Sequence, residues 1–548
     1  MRVLDSIAAI LKKEGVDFLS CYPTTHLIES VATVGIRPLI CRQERVGVGI
    51  ADGFSRVNGG ERVGVFAMQY GPGAENAFSG VATAHADSVP MLLLPLANAR
   101  AQAQVFPLFD SARAYAAVTK SLETLILPSQ TAEVMRRAFA ALRAGRPGPV
   151  MVEIPADVAT EEAGEVAASY RPPKGAKAAA DPRDVEAAAR ALLEAEHPVI
   201  YAGQGVLYAG AMAELLELAE LLQLPVLTSL EGKSAFPEDH PLSLGTASAL
   251  ITGHGLHFMR GADLVFAVGA SLTRHGMATN IPAGKAIIHA TNDPRDLDKN
   301  YPADYPVLGD AKLVLRQFIE AAKDLAGGRK RGEDGAVAAE IERVRERWLA
   351  EWLPKLTSDE VPITPYRVIW EFMRAVNPAE AIVTHDSGSP RDQLTPFYRA
   401  TTPHGYVGWG KSHGLGTGLG LIMGAKLAAP EKFCVNFMGD AAFGMVGLDL
   451  ETAVRNRIPT LTVVLNNSTM AIETGHLVAS HELYRTRDLG GDYATIARGL
   501  GAWAERVERP EEIGPAIQRA RRVTEDGRTA LLEIITGAET AFSFRRAL

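Results

Sequence analysis

The sequence predicts an α/β protein built from three doubly wound parallel-sheet domains. Three observations carry that expectation. Short apolar runs alternate with helix-patterned segments along most of the chain, the pattern of βαβ units whose sheet is covered on both faces. The chain has 548 residues, too many for one core. Two stretches poor in large apolar residues divide it. The expected domains are residues 1–162, 184–326 and 362–548.

The elements follow in order. The first 18 residues read as an amphipathic helix, because Asp5 interrupts the apolar run and Lys12, Lys13 and Glu14 end it too early for a secretory leader. Residues 17–21 and 38–41 read as strands. The second runs at once into Arg42-Gln43-Glu44 and a small-residue helix through Arg56. Residues 63–68 form a third strand, then Gly71-Pro72-Gly73 and a helix to Ala86. Residues 91–94 and 150–154 complete the strands of the first domain. Residues 163–183, with Pro172, Pro173 and Pro182, read as a linker. Strands of the second domain are expected at 198–201, 264–268 and 286–289. Residues 327–332, GGRKRG, begin a second, charged linker. In the third domain the clearest strands are 382–384, 433–438 and 461–465.

Composition narrows the function. Net charge is −8, so there is no basic footprint for nucleic acid. Cys21, Cys41 and Cys434 are scattered without metal-ligand spacing, which fits a reduced, cytoplasmic compartment. No apolar run is long enough to span a bilayer. A soluble protein is expected, with no membrane partner.

The stretch 432–473 carries the chemistry. A strand is expected to end in a turn at Gly439-Asp440-Ala441-Ala442. An amphipathic helix then follows over 446–455, with Leu448, Leu450 and Val454 on its apolar side and Pro459 breaking it. A second strand ends at Asn466-Asn467. Asp440 and Asn467 therefore fall at the carboxyl ends of strands, where open α/β sheets bind ligands. Both offer hard oxygen ligands, and small turn residues let backbone N–H groups approach an anion. Mg²⁺ takes few protein ligands and fills its shell with phosphate oxygens. The unit thus reads as a Mg²⁺–diphosphate site, against the plainer reading of an ordinary βαβ unit with an acidic turn.

Gly-Asp-Ala followed by Asn-Asn, with Asn467 lying 27 positions after Asp440, resembles the thiamine-diphosphate motif of the acetolactate synthase, pyruvate oxidase and 2-oxo acid decarboxylase superfamily. The usual third residue is Gly; here it is Ala441. Glu44 lies in RQERVGVGIADGFSRVNG. Alone it reads as a solvated carboxylate favourable to a helix dipole. The segment, however, resembles the first-domain signature of the same enzymes. There the resemblance implies that Glu44 hydrogen-bonds N1′ of the aminopyrimidine and tunes acid–base chemistry carried out by the cofactor.

Further residues follow from the resemblance. Gly71-Pro72-Gly73 with Asn76 is similar to a first-domain turn of the family, and Thr24 falls in a cofactor-binding position. Gly410 to Gly416 with Met423-Gly424-Ala425-Lys426 is similar to the segment that grips the pyrimidine. Leu415 falls where the family has a bulky wedge between the two cofactor rings. His413 falls where a backbone carbonyl accepts from the 4′-amino group; its side chain departs from the usual Gly. Ser387-Gly388-Ser389 matches the first diphosphate-binding turn. Gly439, Asp440, Ala441, Ala442, Asn467 and Thr469 are implied cofactor contacts, and Asp440, Asn467 and Thr469 the implied Mg²⁺ ligands. The middle domain looks like that of acetolactate synthase, where relatives bind FAD, ADP or nothing.

Residues specific to the reaction are less uniform. Glu473, six positions after Asn467, matches a Glu of pyruvate and indolepyruvate decarboxylases and also one in sulfoacetaldehyde acetyltransferase-like enzymes. Gln69 takes the position of a catalytic His in benzoylformate decarboxylase, and His275 lies near another. The paired His of simple decarboxylases is missing, and Thr24-Thr25-His26 replaces their first-domain Asp. The plain readings are a helix Glu and structural histidines. The resemblance implies a carboligase or lyase acting on a small 2-oxo acid, acetolactate synthase-like first. A 2-oxo acid decarboxylase, a 2-hydroxyacyl-CoA lyase or oxalyl-CoA decarboxylase, and a catalytically silent structural or regulatory relative stay open. It also implies a homodimer or homotetramer with sites between subunits.

Overall fold

The computed structural model describes residues 1–326 and 335–548. The charged linker expected from Gly327 lies outside the described residues.

Among the described residues, eighteen strands form three six-stranded sheets in which every pairing is parallel. The first holds β1 (Phe18–Cys21), β2 (Arg37–Ile40), β3 (Gly64–Met68), β4 (Met91–Ala97), β5 (Ser121–Thr124) and β6 (Pro149–Pro155), in the order β2-β1-β3-β4-β6-β5. The second holds β7 (Pro198–Ala202), β8 (Val226–Ser229), β9 (Ser243–Ala247), β10 (Leu264–Val268), β11 (Ala286–Thr291) and β12 (Tyr305–Leu308), in the order β12-β11-β10-β7-β8-β9. The third holds β13 (Ala381–His385), β14 (Tyr406–Val407), β15 (Phe433–Gly439), β16 (Leu461–Asn466), β17 (Trp503–Val507) and β18 (Ala530–Ile535), in the order β14-β13-β15-β16-β18-β17. The expected fold class is borne out. The first and third sheets also share one strand order, a relation the sequence alone did not reveal. The middle order is that of dinucleotide-binding sheets, with its switch point between β7 and β10.

The central strands are buried along their whole length, as continuous apolar runs require when helices cover both faces. The strands that sequence reading missed are largely edges. β5, SLET, is half-buried, and β14 has two residues; too few apolar positions mark them.

Several local expectations are corrected. The helix after β15 starts at Asp440 itself, with no intervening turn. It breaks into a 3₁₀ turn at Gly447–Asp449 and resumes over Leu450–Asn456. Leu448, expected on the apolar side, is 62% exposed. The irregular turn buries Asp449 instead, whose carboxylate accepts from the Arg42 N–H and the Thr452 hydroxyl, both at 2.8 Å. Arg457, at φ 54°, ends the helix two residues before Pro459. Residues 163–183 do not all hang free: Ala163, Ala167 and Tyr170 bury against the first domain, and the Lys13 ammonium donates to the Ala167 carbonyl at 2.6 Å. Alanine methyls and one aromatic ring suffice for a shallow groove.

The helix Glu44–Val57 of the first domain packs on Thr417–Ala428 of the third. A Cβ at Gly53 would collide with the Leu421 carbonyl oxygen, and one at Gly424 with the Ile50 carbonyl oxygen. Glycine permits this backbone approach. Arg56, buried, adds a cross-domain tie. It donates to Asp52 at 2.5 Å, Asp87 at 3.1 Å and the Gly408 carbonyl at 3.0 Å.

Candidate active site

Parallel strands place the third-domain residues on one edge. β14, β13, β15 and β16 are successive neighbours. After their carboxyl ends come, in that spatial order, His413 and Leu415, then Gly388 and Ser389, then Asp440 to Ala442, then Asn467 and Thr469. Asp440 is buried. Its Oδ1 accepts from the Ala441 N–H and its Oδ2 from the Ser468 N–H, both at 2.8 Å. Burial raises its pKa, while these N–H groups oppose the rise. Asn467 Oδ1 accepts from the Thr469 N–H at 3.0 Å, which folds the chain into a tight turn with Ser468 at φ 54°. Gly388 has φ +86°, with open space where a Cβ would stand. One carboxylate, one amide oxygen and the carbonyls of a turn make a hard-oxygen donor set, with exposed backbone nearby. That chemistry fits Mg²⁺ and a diphosphate.

A second group stands on the matching edge of the first sheet. Thr24, Glu44 and Gln69 follow β1, β2 and β3, which are neighbours. Thr24 and His26 are exposed. Glu44 begins its helix and is 6% exposed. Its Oε2 accepts from Asn76 Nδ2 at 3.3 Å. A Cβ at Gly73 would lie 3.0 Å from Gln69 Cβ and 3.6 Å from Glu44 Oε1. The structure thus brings Glu44, Gln69, Gly73 and Asn76 together. A buried carboxyl with one weak donor keeps hydrogen-bonding capacity to spare, which fits the pyrimidine side of the cofactor.

Among the described residues, no hydrogen bond or ion pair joins the Glu44 group to Asp440, Asn467 or Thr469. Glu473 sits in a short 3₁₀ turn, partly exposed, and its carboxylate has no hydrogen bond or ion pair among the described residues. His275 belongs to neither group. It lines a cavity of about 770 Å³ beside Glu231 and Lys411. Burial, opposed by Glu231, pushes its pKa down. This cavity opens at the switch point of the middle sheet: Gln204 and Gly205 follow β7, and Gly269 to Thr273 follow β10.

Two charged residues were passed over in the sequence. Asp386 directly precedes the Ser387-Gly388-Ser389 turn, and Arg45 directly follows Glu44. The available signal was the glycine at the start of the helix Thr417–Ala428, since Gly416 has no side chain to cap it.

Models of three thiamine pyrophosphate enzyme domains match the chain. They are the N-terminal TPP binding domain over residues 1–123, the central domain over 185–318, and the C-terminal TPP binding domain over 386–534. A probable acetolactate synthase large subunit of Methanocaldococcus jannaschii is 30% identical, over 95% of this chain and 90% of its own. The acetolactate synthase isozyme 3 large subunit of Escherichia coli K12 is 28% identical, over 98% and 95%. A glyoxylate carboligase of Escherichia coli O157:H7 is 28% identical, over 99% and 94%. The chain belongs to the thiamine pyrophosphate enzymes and is acetolactate synthase-like among them.

Proposed function

We propose that the chain is a thiamine-diphosphate- and Mg²⁺-dependent carboligase acting on a small 2-oxo acid in the cytoplasm, with its sites between the subunits of a homodimer or homotetramer. The observation that carries this reading is the Asp440–Ser468 hydrogen bond of 2.8 Å, which fixes Asp440 and Asn467 on one edge, in a chain that also buries Glu44. Bound thiamine diphosphate supplies a carbon nucleophile and an electron sink. Asp440, Asn467 and Thr469 hold the Mg²⁺ that balances the diphosphate charge. Gly388, Ser389, Gly439, Ala441 and Ala442 let backbone approach the phosphates. Glu44 presents its carboxyl to the pyrimidine nitrogen, with Asn76 and Gly73 beside it, and Thr24 is assigned to the same side of the cofactor. Leu415 supplies bulk and His413 a backbone acceptor. Gln69, Glu473 and His275 are assigned to substrate chemistry.

Two features support assembly from two copies. Tyr70 follows Gln69, and Met445 and Leu448 follow Asp440 closely; all three are exposed apolar side chains at the rims of the two groups. A second copy covers them in this reading and brings its own Asp440 group to Glu44. The middle cavity has the size of a small-molecule site and favours neither FAD nor ADP. Three free, buried cysteines support a reducing compartment.

The test is product analysis by mass spectrometry with thiamine diphosphate, Mg²⁺ and a panel of 2-oxo acids and acyl-CoA esters. A 2-hydroxy-3-oxo acid joined from two donors supports carboligation. An aldehyde alone selects the decarboxylase reading, and acyl-CoA turnover the lyase reading. Absence of cofactor binding overturns all three and leaves a silent relative. Mixing inactive Glu44→Ala and Asp440→Ala chains after co-refolding should restore activity if sites lie between copies.

A further inference from the structure

We propose that Asp386 is a positioning residue which, with Arg45, clamps the Leu415–Gly416 peptide from its two sides and locks it to the Ser387–Ser389 turn. The clamp is read from contacts alone; its role toward the cofactor rests on the function proposed above.

Asp386 has no solvent exposure. Its Oδ1 accepts from the Ser387 N–H at 2.8 Å and the Gly416 N–H at 2.9 Å, and its Oδ2 from the Gly418 N–H at 3.0 Å. One carboxylate therefore joins the turn after β13 to a segment some thirty residues later. Gly416 is the N-cap of the helix Thr417–Ala428 and makes no side-chain cap bond. Asp386 satisfies those orphan N–H groups from another part of the chain, as a cap and as a negative charge at a helix N-terminus. On the other side of the same peptide, Arg45 Nη2 donates to the Leu415 carbonyl oxygen. Leu415 is thus held through its own carbonyl and through the next N–H.

The surroundings allow little alternative. Gly416 has φ +89°, and a Cβ there would run into Arg45 and into Val446. A Cβ at Gly418 would lie 2.5 Å from Asn436 Oδ1 and 2.7 Å from the His385 carbonyl oxygen. Burial lifts the Asp386 pKa to about 6, and the three N–H groups and Arg45 hold it from rising further. A buried carboxylate is costly, and a neutral side chain of similar size often serves stability as well. Its retention here is explained by geometry, since a carboxylate accepts from three N–H groups in two segments at once. Arg45 adjoins Glu44, so the clamp also ties the pyrimidine-side helix of the first domain to Leu415 of the third.

Asp386→Asn tests this. It keeps the size, removes the charge, and replaces one acceptor by a donor facing an N–H. Loss of a buried charge and loss of an acceptor oppose each other in stability, so the melting temperature should stay near wild type. Hydrogen–deuterium exchange of the protein without cofactor, read by mass spectrometry at Gly416 and Gly418, should quicken about tenfold, as for one hydrogen bond lost. Affinity for thiamine diphosphate at saturating Mg²⁺ should fall roughly 10–100-fold, the usual effect of removing an outer partner of a site. Arg45→Gln should quicken exchange around Leu415 in the same direction, and serves if Asp386→Asn does not fold. Unchanged exchange in these variants overturns the clamp. Faster exchange with unchanged affinity makes Asp386 a structural cap only. If the wild type binds no thiamine diphosphate, the proposed function fails, while the exchange data still decide the clamp.

Discussion

Asp440 and Ser468 stand 28 positions apart, yet the Asp440 carboxylate accepts the Ser468 N–H at 2.8 Å. This bond joins the ends of two neighbouring strands, β15 and β16, and sets Asn467 beside the carboxylate. Asp440→Ala should therefore fail twice. It removes the anionic ligand of a cation, and it leaves the Ser468 N–H only its weaker bond to Asn466 Oδ1 at 3.1 Å, so the turn that carries Asn467 loses its tie to β15. Titration calorimetry of thiamine diphosphate at graded Mg²⁺ should show Mg²⁺-assisted binding abolished. Unchanged affinity at low Mg²⁺ would falsify the metal assignment.

The contact of the helices Glu44–Val57 and Thr417–Ala428 makes a second prediction. Gly53 faces the Leu421 carbonyl oxygen, a backbone atom that cannot swing aside. Gly53→Ala should force the helices apart, at a cost of about 1–3 kcal/mol or more. The melting temperature should fall by several degrees, and activity with it, since Glu44 and Leu415 ride on these helices. A melting curve identical to wild type would mean that the helices slide without strain.

Much of this architecture was legible because parallel sheets buried on both faces write continuous apolar runs. The strands β3, β10, β15 and β16 stand within one or two residues of their expected bounds. Edge strands β5 and β14 were not legible, since edges carry polar or very few residues. The order of the strands was not legible either, because apolar runs carry no pairing information. The candidate site residues were singled out through spacing and resemblance; the structure sets Glu44, Gln69, Gly73 and Asn76 together on one sheet edge and Asp440, Asn467 and Thr469 on another, with His275 apart. Asp386 and Asp449 escaped notice for a different reason. Their partners are backbone N–H groups of remote segments, Gly416 and Gly418 for one and Arg42 for the other. Backbone donors leave no trace in residue identity.

Asp449 also yields a pH prediction. Burial lifts its pKa to about 6 against the N–H groups of Arg42 and Gln43 and the Thr452 hydroxyl. A carboxyl whose folded pKa lies above its unfolded value binds protons more readily when folded. Its contribution is therefore favourable below about pH 4, is lost as pH rises through 6, and is flat above; for a shift of about 2 units it amounts to roughly 3 kcal/mol as an upper bound. Asp449→Asn removes this dependence. Urea unfolding at pH 4.5 and pH 7.5 should show the variant gaining on the wild type as pH rises. A stability difference independent of pH would contradict the burial argument.

The last prediction separates activation of the cofactor from chemistry on the substrate. Glu44 is buried beside Asn76 and Gly73, whereas Glu473 is partly exposed with its carboxylate unpaired among the described residues. In the proposed function Glu44 acts on the bound cofactor before any substrate arrives, and Glu473 acts afterwards. Glu44→Gln keeps the side-chain size and a hydrogen-bonding amide but removes the ionisable proton. It should slow H/D exchange at C2 of bound thiamine diphosphate, measured by quenched-flow NMR without substrate. Glu473→Gln should leave that exchange near the wild-type rate and lower turnover. General acid–base groups contribute about 10²–10⁴-fold, so both defects are large enough to resolve. Normal turnover in Glu473→Gln would reduce that residue to an exposed carboxylate on a short turn. Wild-type C2 exchange in Glu44→Gln would remove the chemical role assigned to the one buried carboxyl of the first-domain group.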